Sequence, residues 1–260
     1  MKRNKIIDIF NPEQLTDHKA ELSSLSAQMK LMPLGYKKRV AFHEAGHAAG
    51  IHLNNKARQL PPVFFKIIFK ETGRVTDADI MAYQTTHDDC IARVEGGRLI
   101  QSLPLSIESL VRTEHDDAME QLVKDYTVAF EADVINLLIG PLAEAKHVAE
   151  DDGELFNNQL VHLKALKNYG GRSDLALVNE YLQSFSNDKQ QIDEKLDQLF
   201  NAAFDFVNND ANWAAITKLA DHILADDKNI IECEEIGSML DESVDYFQNR
   251  RIAARSYLNG

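Results

Sequence analysis

Apolar residues recur at helical spacing through most of the second half of the chain. They lie three and four residues apart, which places them on one face of a helix. The segments with this spacing are 134–147, 175–185, 188–208, 213–225 and 236–244. From about residue 119 onwards, the pattern therefore predicts a helical chain.

Three local signals refine this prediction. Gly140 and Pro141 predict a kink or a break within the first segment. Ser173 is a suitable N-cap for the second segment. The basic residues of 251–260 predict a solvated tail after the last helix.

The N-terminal part begins with a helical lead-in over residues 1–35, which Pro33 and Gly35 punctuate. A second helical pattern covers residues 37–55. Within it, Gly46 and Gly50 each cost about 1 kcal/mol relative to alanine. We therefore expect another element to approach this helix closely.

Residues 63–76 change to a strand pattern. β-branched and aromatic residues predict a strand over Val63–Phe69, a tight turn, and a short second strand over 74–76. Together with the helices, this predicts a mainly α fold with a small β-sheet (α+β), whose main domain covers 36–250.

Residues 83–118 are polar and mixed, and they are interpreted as an insert or lid. Within them, 91–99 could form a short helix. The insert could cap a cleft, dock a partner or be a solvated excursion, and the sequence does not decide among the three.

Composition argues against several classes of partner. The net charge of −13 repels the phosphates of nucleic acids and disfavours anionic membranes. No apolar run is long enough to span a bilayer, and the N-terminus is a poor secretory signal, so a cytoplasmic protein is expected. The two cysteines, Cys90 and Cys233, argue against a disulfide framework or a cysteine-based metal site.

The segment with the clearest chemical meaning is His43-Glu44-Ala45-Gly46-His47. Two histidines four residues apart project from the same face of a helix. That spacing suits two imidazole nitrogens that converge on one zinc ion. Glu44, on the same helix, can act as the base for a zinc-bound water.

A catalytic zinc normally has three protein ligands, so one more must come from elsewhere in the chain. The candidates are Glu144, Asp174, His52, His87, His115, His147 and His162. His52 lies five residues after His47 and is expected to point away from the site.

Several motifs resemble the peptidase domain of the FtsH-type metallopeptidases (family M41). They are VAFHEAGHAAG at 40–50, PVFFKIIF with TGRVT at 62–76, GPLAEA at 140–145, GGRSDLALV at 170–178, and a helical C-terminal pattern over 199–240. The resemblance implies a zincin-like fold, with a metal helix and a C-terminal helical bundle.

The resemblance also assigns roles. It implies that Asp174 is the third zinc ligand and that Glu144 lies near the metal, where it orients a histidine ligand. It further implies that the sheet has an edge strand beside the metal helix. We expect Val63–Phe69 to be that edge, where it could bind an extended substrate, although the same apolar run is equally consistent with core.

The chain departs from that family in two respects. It has no membrane-spanning run and no G-x-x-x-x-G-K-[ST] phosphate loop, so ATP binding does not carry over. The spacing between His47 and Glu144 is also longer than the family's, because of the insert. A homo-oligomer or a separate ATPase partner is left open.

The sequence therefore predicts a Zn²⁺-dependent metalloendopeptidase that cleaves unfolded or flexible polypeptides with Glu44 as general base. The alternative is a binding or adaptor module on the same fold. A third hypothesis is a zinc hydrolase that acts on a non-peptide amide.

Overall fold

A computed structural model describes residues 34–69, 92–104, 117–225 and 228–258. This part of the chain is mainly helical and contains a three-stranded antiparallel sheet, which confirms the α+β class. The predicted strand at 74–76 lies outside the described residues, as does the lead-in up to residue 33.

The metal helix predicted over 37–55 is made of three consecutive parts. Helix α1 covers Leu34–Ala49, a π-helical turn covers Gly50–Asn54, and the short helix α2 covers Asn55–Ala57. A π-helical turn of this kind is rare and often lies next to a functional site.

Helix α3 (Asp117–Asp151) is continuous and contains Pro141, so of the kink or break predicted at Gly140-Pro141 the break is wrong. Proline removes one helical hydrogen bond and costs about 3 kcal/mol in a helix interior. The flanking apolar side chains offset this cost, since Leu138, Ile139 and Leu142 are all fully buried. The helix continues because both sides of the proline are held in the core.

Four more helices follow, with a 3₁₀ segment at Leu163–Asn168 before the first of them. They are α4 (Arg172–Phe185), α5 (Lys189–Asn208), α6 (Asp210–Ala225) and α7 (Cys233–Leu258).

Two of their predicted ends are wrong. Helix α4 begins at Arg172 with Gly171 as its N-cap, so Ser173 lies inside the helix and does not cap it. Helix α7 runs to Leu258, so most of the predicted tail at 251–260 belongs to a helix.

The sheet consists of β1 (Phe65–Phe69), β2 (Ala92–Gly96) and β3 (Ile230–Glu232), in the order β2-β1-β3. Strand β1 is therefore central, and the expectation that it forms the edge is wrong. The difference arises because β1 pairs with β2 on one side and with β3, from far along the chain, on the other.

Strand β2 lies where the sequence suggested a short helix at 91–99, so that suggestion is also wrong. In register, Ile67 faces Val94 and Phe65 faces Gly96. Pairing with β1 satisfies the backbone of Ala92–Gly96 and overrides its weak helical pattern. At least this part of the predicted insert belongs to the sheet.

Helix α1 and the π-helical turn after it pack closely on α3, as Gly46 and Gly50 predicted. A Cβ atom on Gly46 would lie 2.7 Å from Cβ of Ala143, and one on Gly50 would lie 3.0 Å from Cδ1 of Ile139. The two apolar clusters of the core meet along this contact. Among the described helices, none is both long and apolar enough to span a bilayer.

Candidate metal centre

Three buried side chains from two helices converge at one point. His43 and His47 extend from α1, and Asp174 lies in the first turn of α4. The two Nε2 atoms are 3.0 Å apart. Oδ2 of Asp174 lies 3.3 Å from Nε2 of His43, and Oδ1 lies 3.3 Å from Nε2 of His47. Such a group could hold a metal ion.

These distances can be compared with those of a tetrahedral metal site. With metal–ligand bonds of about 2.0–2.1 Å, the ligand atoms of a tetrahedron are about 3.3–3.4 Å apart. The two Nε2 atoms are slightly closer, at 3.0 Å, and each lies 3.3 Å from a different carboxylate oxygen of Asp174, so the group is compact enough for one metal ion. Oδ2 of Asp174 is also buried without a hydrogen-bond partner, as expected for an oxygen that binds a cation.

The outer ring nitrogens of both histidines have acceptors of their own. Nδ1 of His43 lies 3.1 Å from Oε2 of Glu144, and Nδ1 of His47 lies 3.0 Å from the carbonyl oxygen of Asn136. With the proton on Nδ1, each ring donates outwards and directs the lone pair of Nε2 to the centre. These acceptors thus favour the tautomer that a metal requires.

Glu144 is fully buried and is balanced by a cation. Nε of Arg39 donates to Oε1 of Glu144 at 2.8 Å, and Nη2 of Arg39 donates to the carbonyl oxygen of Asn168 at 3.0 Å. Arg39 lies one helical turn before His43, so its spacing was a usable signal that sequence reasoning missed. It holds Glu144 in place beside the imidazole.

The charges of the centre favour a cation. Burial by itself lowers the pKa of His43, but Asp174 and Glu144 outweigh it and raise that pKa well above the ordinary value. The pKa of His47 is likewise raised, mainly by Asp174 against the effect of burial. Burial raises the pKa of Asp174, yet the two histidines lower it overall.

Two glycines leave room for the imidazole rings. A Cβ atom on Gly140 would lie 2.3 Å from Nε2 of His47. A Cβ atom on Gly170 would lie 2.7 Å from Nδ1 of His43, and Gly170 also has a positive φ of 70°. Both positions therefore require glycine for the rings to lie where they do.

Glu44 is buried at the side of a cavity of about 430 Å³, which the three converging side chains also line. The backbone N–H of Val94 on β2 donates to Oε2 of Glu44 at 2.8 Å. This contact shows that the outer edge of β2 faces Glu44, since the bond goes to α1 and not to β1. The cavity thus lies between helix α1 and β2, which is an edge strand of the sheet formed by the described residues.

The other candidate histidines that the structure describes lie outside this centre. His52 pairs with Asp241, with Nε2 to Oδ1 at 3.0 Å. The ring of His147 stacks on Phe42 at 4.0 Å between centroids, and His162 precedes the 3₁₀ segment. His87 and His115 lie outside the described residues.

Comparison with known proteins identifies no family. No protein-family profile matches the chain, and no curated protein matches its sequence. The site defined by the described residues is a buried cluster of two histidines and an aspartate that could hold a metal ion, with a glutamate beside it.

Proposed function

We propose that this protein is a zinc-dependent metalloendopeptidase, similar in its site to the FtsH-type peptidases. The observation that carries the proposal is the triangle of His43, His47 and Asp174 ligand atoms, with Glu44 on the same cavity. Two imidazoles and one carboxylate, with a fourth position left for water, form a common ligand set for catalytic zinc.

The residues of the site would have three separate roles: holding the metal ion, orienting its ligands and transferring a proton. His43, His47 and Asp174 would hold the ion, and Glu144 and Asn136 would orient the two rings through Nδ1. Bound zinc would supply a Lewis acid that acidifies a water and polarises the scissile carbonyl. Glu44 accepts the proton that the attacking water loses and passes it to the nitrogen of the leaving amine.

An extended polypeptide is the substrate that suits this cavity. The outer edge of β2 can pair with the backbone of an extended segment, as sheet edges do in strand addition. Unfolded or flexible proteins expose such segments. The substrate edge expected at Val63–Phe69 is therefore reassigned to β2 (Ala92–Gly96), which lines the cavity.

The decisive experiment compares Glu44→Gln with the parent. The parent should bind about one zinc per chain and cleave unfolded casein. Glu44→Gln should keep the zinc and lose cleavage by a factor of about 10² to 10⁴. Glu234→Gln removes an exposed carboxylate at the start of α7 and serves as the control. His47→Ala should lose the metal.

Each other outcome has a definite meaning. Equal cleavage by Glu44→Gln and the parent would remove Glu44 as the base. Full zinc retention by both His43→Ala and His47→Ala would end the metal hypothesis. A parent that binds zinc and unfolded polypeptide but cleaves neither casein nor small peptides would favour the adaptor alternative.

A further inference from the structure

A buried carboxylate next to the metal centre has its own set of partners. Asp133 on α3 is almost fully buried and lines the cavity. Oδ1 accepts the backbone N–H of Leu99 at 2.9 Å, and Oδ2 accepts the N–H of Ile100 at 2.9 Å. The hydroxyl of Tyr181 also donates to Oδ2 at 2.9 Å. Asp133 thus binds three donors and no acceptor.

Its partners lie just beyond strand β2. Leu99 and Ile100 follow the end of the strand at Gly96 by three and four residues. Directly after the strand, the N–H of Gly97 donates to the carbonyl oxygen of Phe64 at 2.9 Å, and this is the last hydrogen bond on the side of β2 that faces β1. Asp133 is therefore the anchor of this end of β2 on α3.

The strand held in this way contacts Glu44. The N–H of Val94 points away from β1 and donates to Oε2 of Glu44 at 2.8 Å. The position of β2 relative to α1 therefore sets where this carboxylate lies. It also sets the width of the cavity between the edge of β2 and the metal helix.

Helix α3 contacts both the candidate metal ligands and the end of strand β2. Asp133, Asn136, Gly140 and Glu144 are separated by three or four residues and lie along one face of the helix. Asn136 and Glu144 hold the imidazole rings, whereas Asp133 holds the strand. One rigid helix thereby fixes the spacing between the metal ligands and the substrate edge.

We propose that Asp133 is a positioning residue, which holds β2 at the distance from Glu44 that an extended polypeptide needs. This role rests on the proposed peptidase function. Only a carboxylate suits the position, because two oxygens accept all three donors. An asparagine would direct an NH₂ group at one of the two backbone N–H groups and break that contact.

The test compares Asp133→Asn with Asp125→Asn, the same change at an exposed position of α3 whose carboxylate accepts a hydrogen bond from the Gln121 side chain. Hydrogen exchange at Leu99, Ile100 and Val94 reports on the strand. In Asp133→Asn we expect the hydrogen-exchange rates of all three amides to rise about tenfold or more. The amides of Leu99 and Ile100 donate to Asp133 directly, and the bond from Val94 to Glu44 weakens once β2 is no longer held.

Zinc affinity and peptide kinetics complete the test. We expect zinc affinity to stay within about threefold of the parent, since Asp133 touches no ligand. For an extended peptide substrate, kcat/KM should fall about tenfold or more, mainly through KM. Asp125→Asn should match the parent throughout. If Asp133→Asn does not fold, Tyr181→Phe can be tested instead, because it removes one of the three donors to Asp133. It should change amide exchange and kcat/KM in the same direction by smaller factors.

Two results would overturn the proposal. Faster exchange at Leu99 and Ile100 with unchanged exchange at Val94 would mean that Asp133 holds only the loop. A zinc affinity that falls together with kcat/KM would mean that the change disrupts the metal centre. A parent without peptidase activity would remove the proposed function, while the exchange measurements would still decide whether Asp133 positions β2.

Discussion

Gly140→Ala is a small change with a large expected effect on the metal centre. The added Cβ would lie 2.3, 2.4 and 2.5 Å from three atoms of the His47 ring. Non-bonded carbon contacts are comfortable at about 3.5–4.0 Å, so the ring has to move by about 1 Å. Gly140 has no positive φ, so alanine fits the helix backbone itself.

The displacement translates into a loss of metal affinity. Metal–ligand distances hold to within about 0.2 Å, so a ring that moves by about 1 Å cannot keep its bond. Disturbing an outer partner of a ligand already costs about 10- to 100-fold in affinity. Displacing His47 itself should therefore cost more than about 100-fold, or more than about 2.7 kcal/mol.

The metal-free fold should change much less. Alanine gains about 1 kcal/mol over glycine in a helix interior, and overpacking costs about 1–3 kcal/mol. These effects leave a net cost of about 0–2 kcal/mol in the metal-free protein, so the rise in Tm on adding zinc is the quantity that isolates the loss of metal binding and should collapse. A chelator competition titration then gives the affinity directly.

Gly35→Ala is the matched control. It adds the same Cβ atom to helix α1, at a position where that atom would meet nothing within 4 Å. It should bind zinc as the parent does. If Gly140→Ala also binds zinc within about threefold of the parent, His47 does not hold the metal through the Nε2 that faces Gly140, and the geometric reasoning fails.

Two further predictions concern charge. Because the pKa values of His43 and His47 are raised in the folded state, protonation of these rings stabilises the metal-free protein below about pH 6.5. This stabilisation is lost as the pH rises through the pKa values that the two histidines have in the folded protein. Zinc binds neutral imidazoles, so the rise in Tm on adding zinc should grow with pH; a rise independent of pH would contradict this. Arg39→Gln should lower the free energy of unfolding by about 1–3 kcal/mol, because buried Glu144 loses the charged hydrogen bonds that the partly exposed Arg39 donates. Urea denaturation measures this loss, and an unchanged midpoint would refute it.

Local patterns predicted most helices, whereas long-range contacts decided what the patterns missed. Apolar spacing located α5 and α6 to within a few residues at each end, and Asp188 caps α5 through the N–H groups of Gln190 and Gln191. The order of the strands depends on β3, which pairs with β1 from the other end of the chain. No local signal identifies that partner, so β1 was expected at the edge.

In the candidate site, too, residues close together in the sequence were predictable, whereas those brought in by long-range packing were not predictable from spacing. His43, Glu44 and His47 share one helix, so their spacing alone predicts how they face one another. Asp174 follows them by more than a hundred residues and was singled out only through the resemblance. Asp133 was missed because its role appears only once α3 is packed against the end of β2. Arg39 was missed although its position one helical turn before His43 was a usable signal.

The assigned roles of Asp174 and Glu144 can be separated by matched amide substitutions. Both carboxylates contact His43, but Asp174 contacts Nε2, on the metal side, and Glu144 contacts Nδ1, on the outer side. Glu144→Gln can still accept the Nδ1–H through its amide oxygen, so its cost should stay within the 10- to 100-fold range of an outer partner. Asp174→Asn replaces an anionic ligand with a neutral amide and should weaken zinc binding by more than about 100-fold. Chelator competition on both variants gives the order, and a larger loss for Glu144→Gln would transfer the role of third ligand to Glu144.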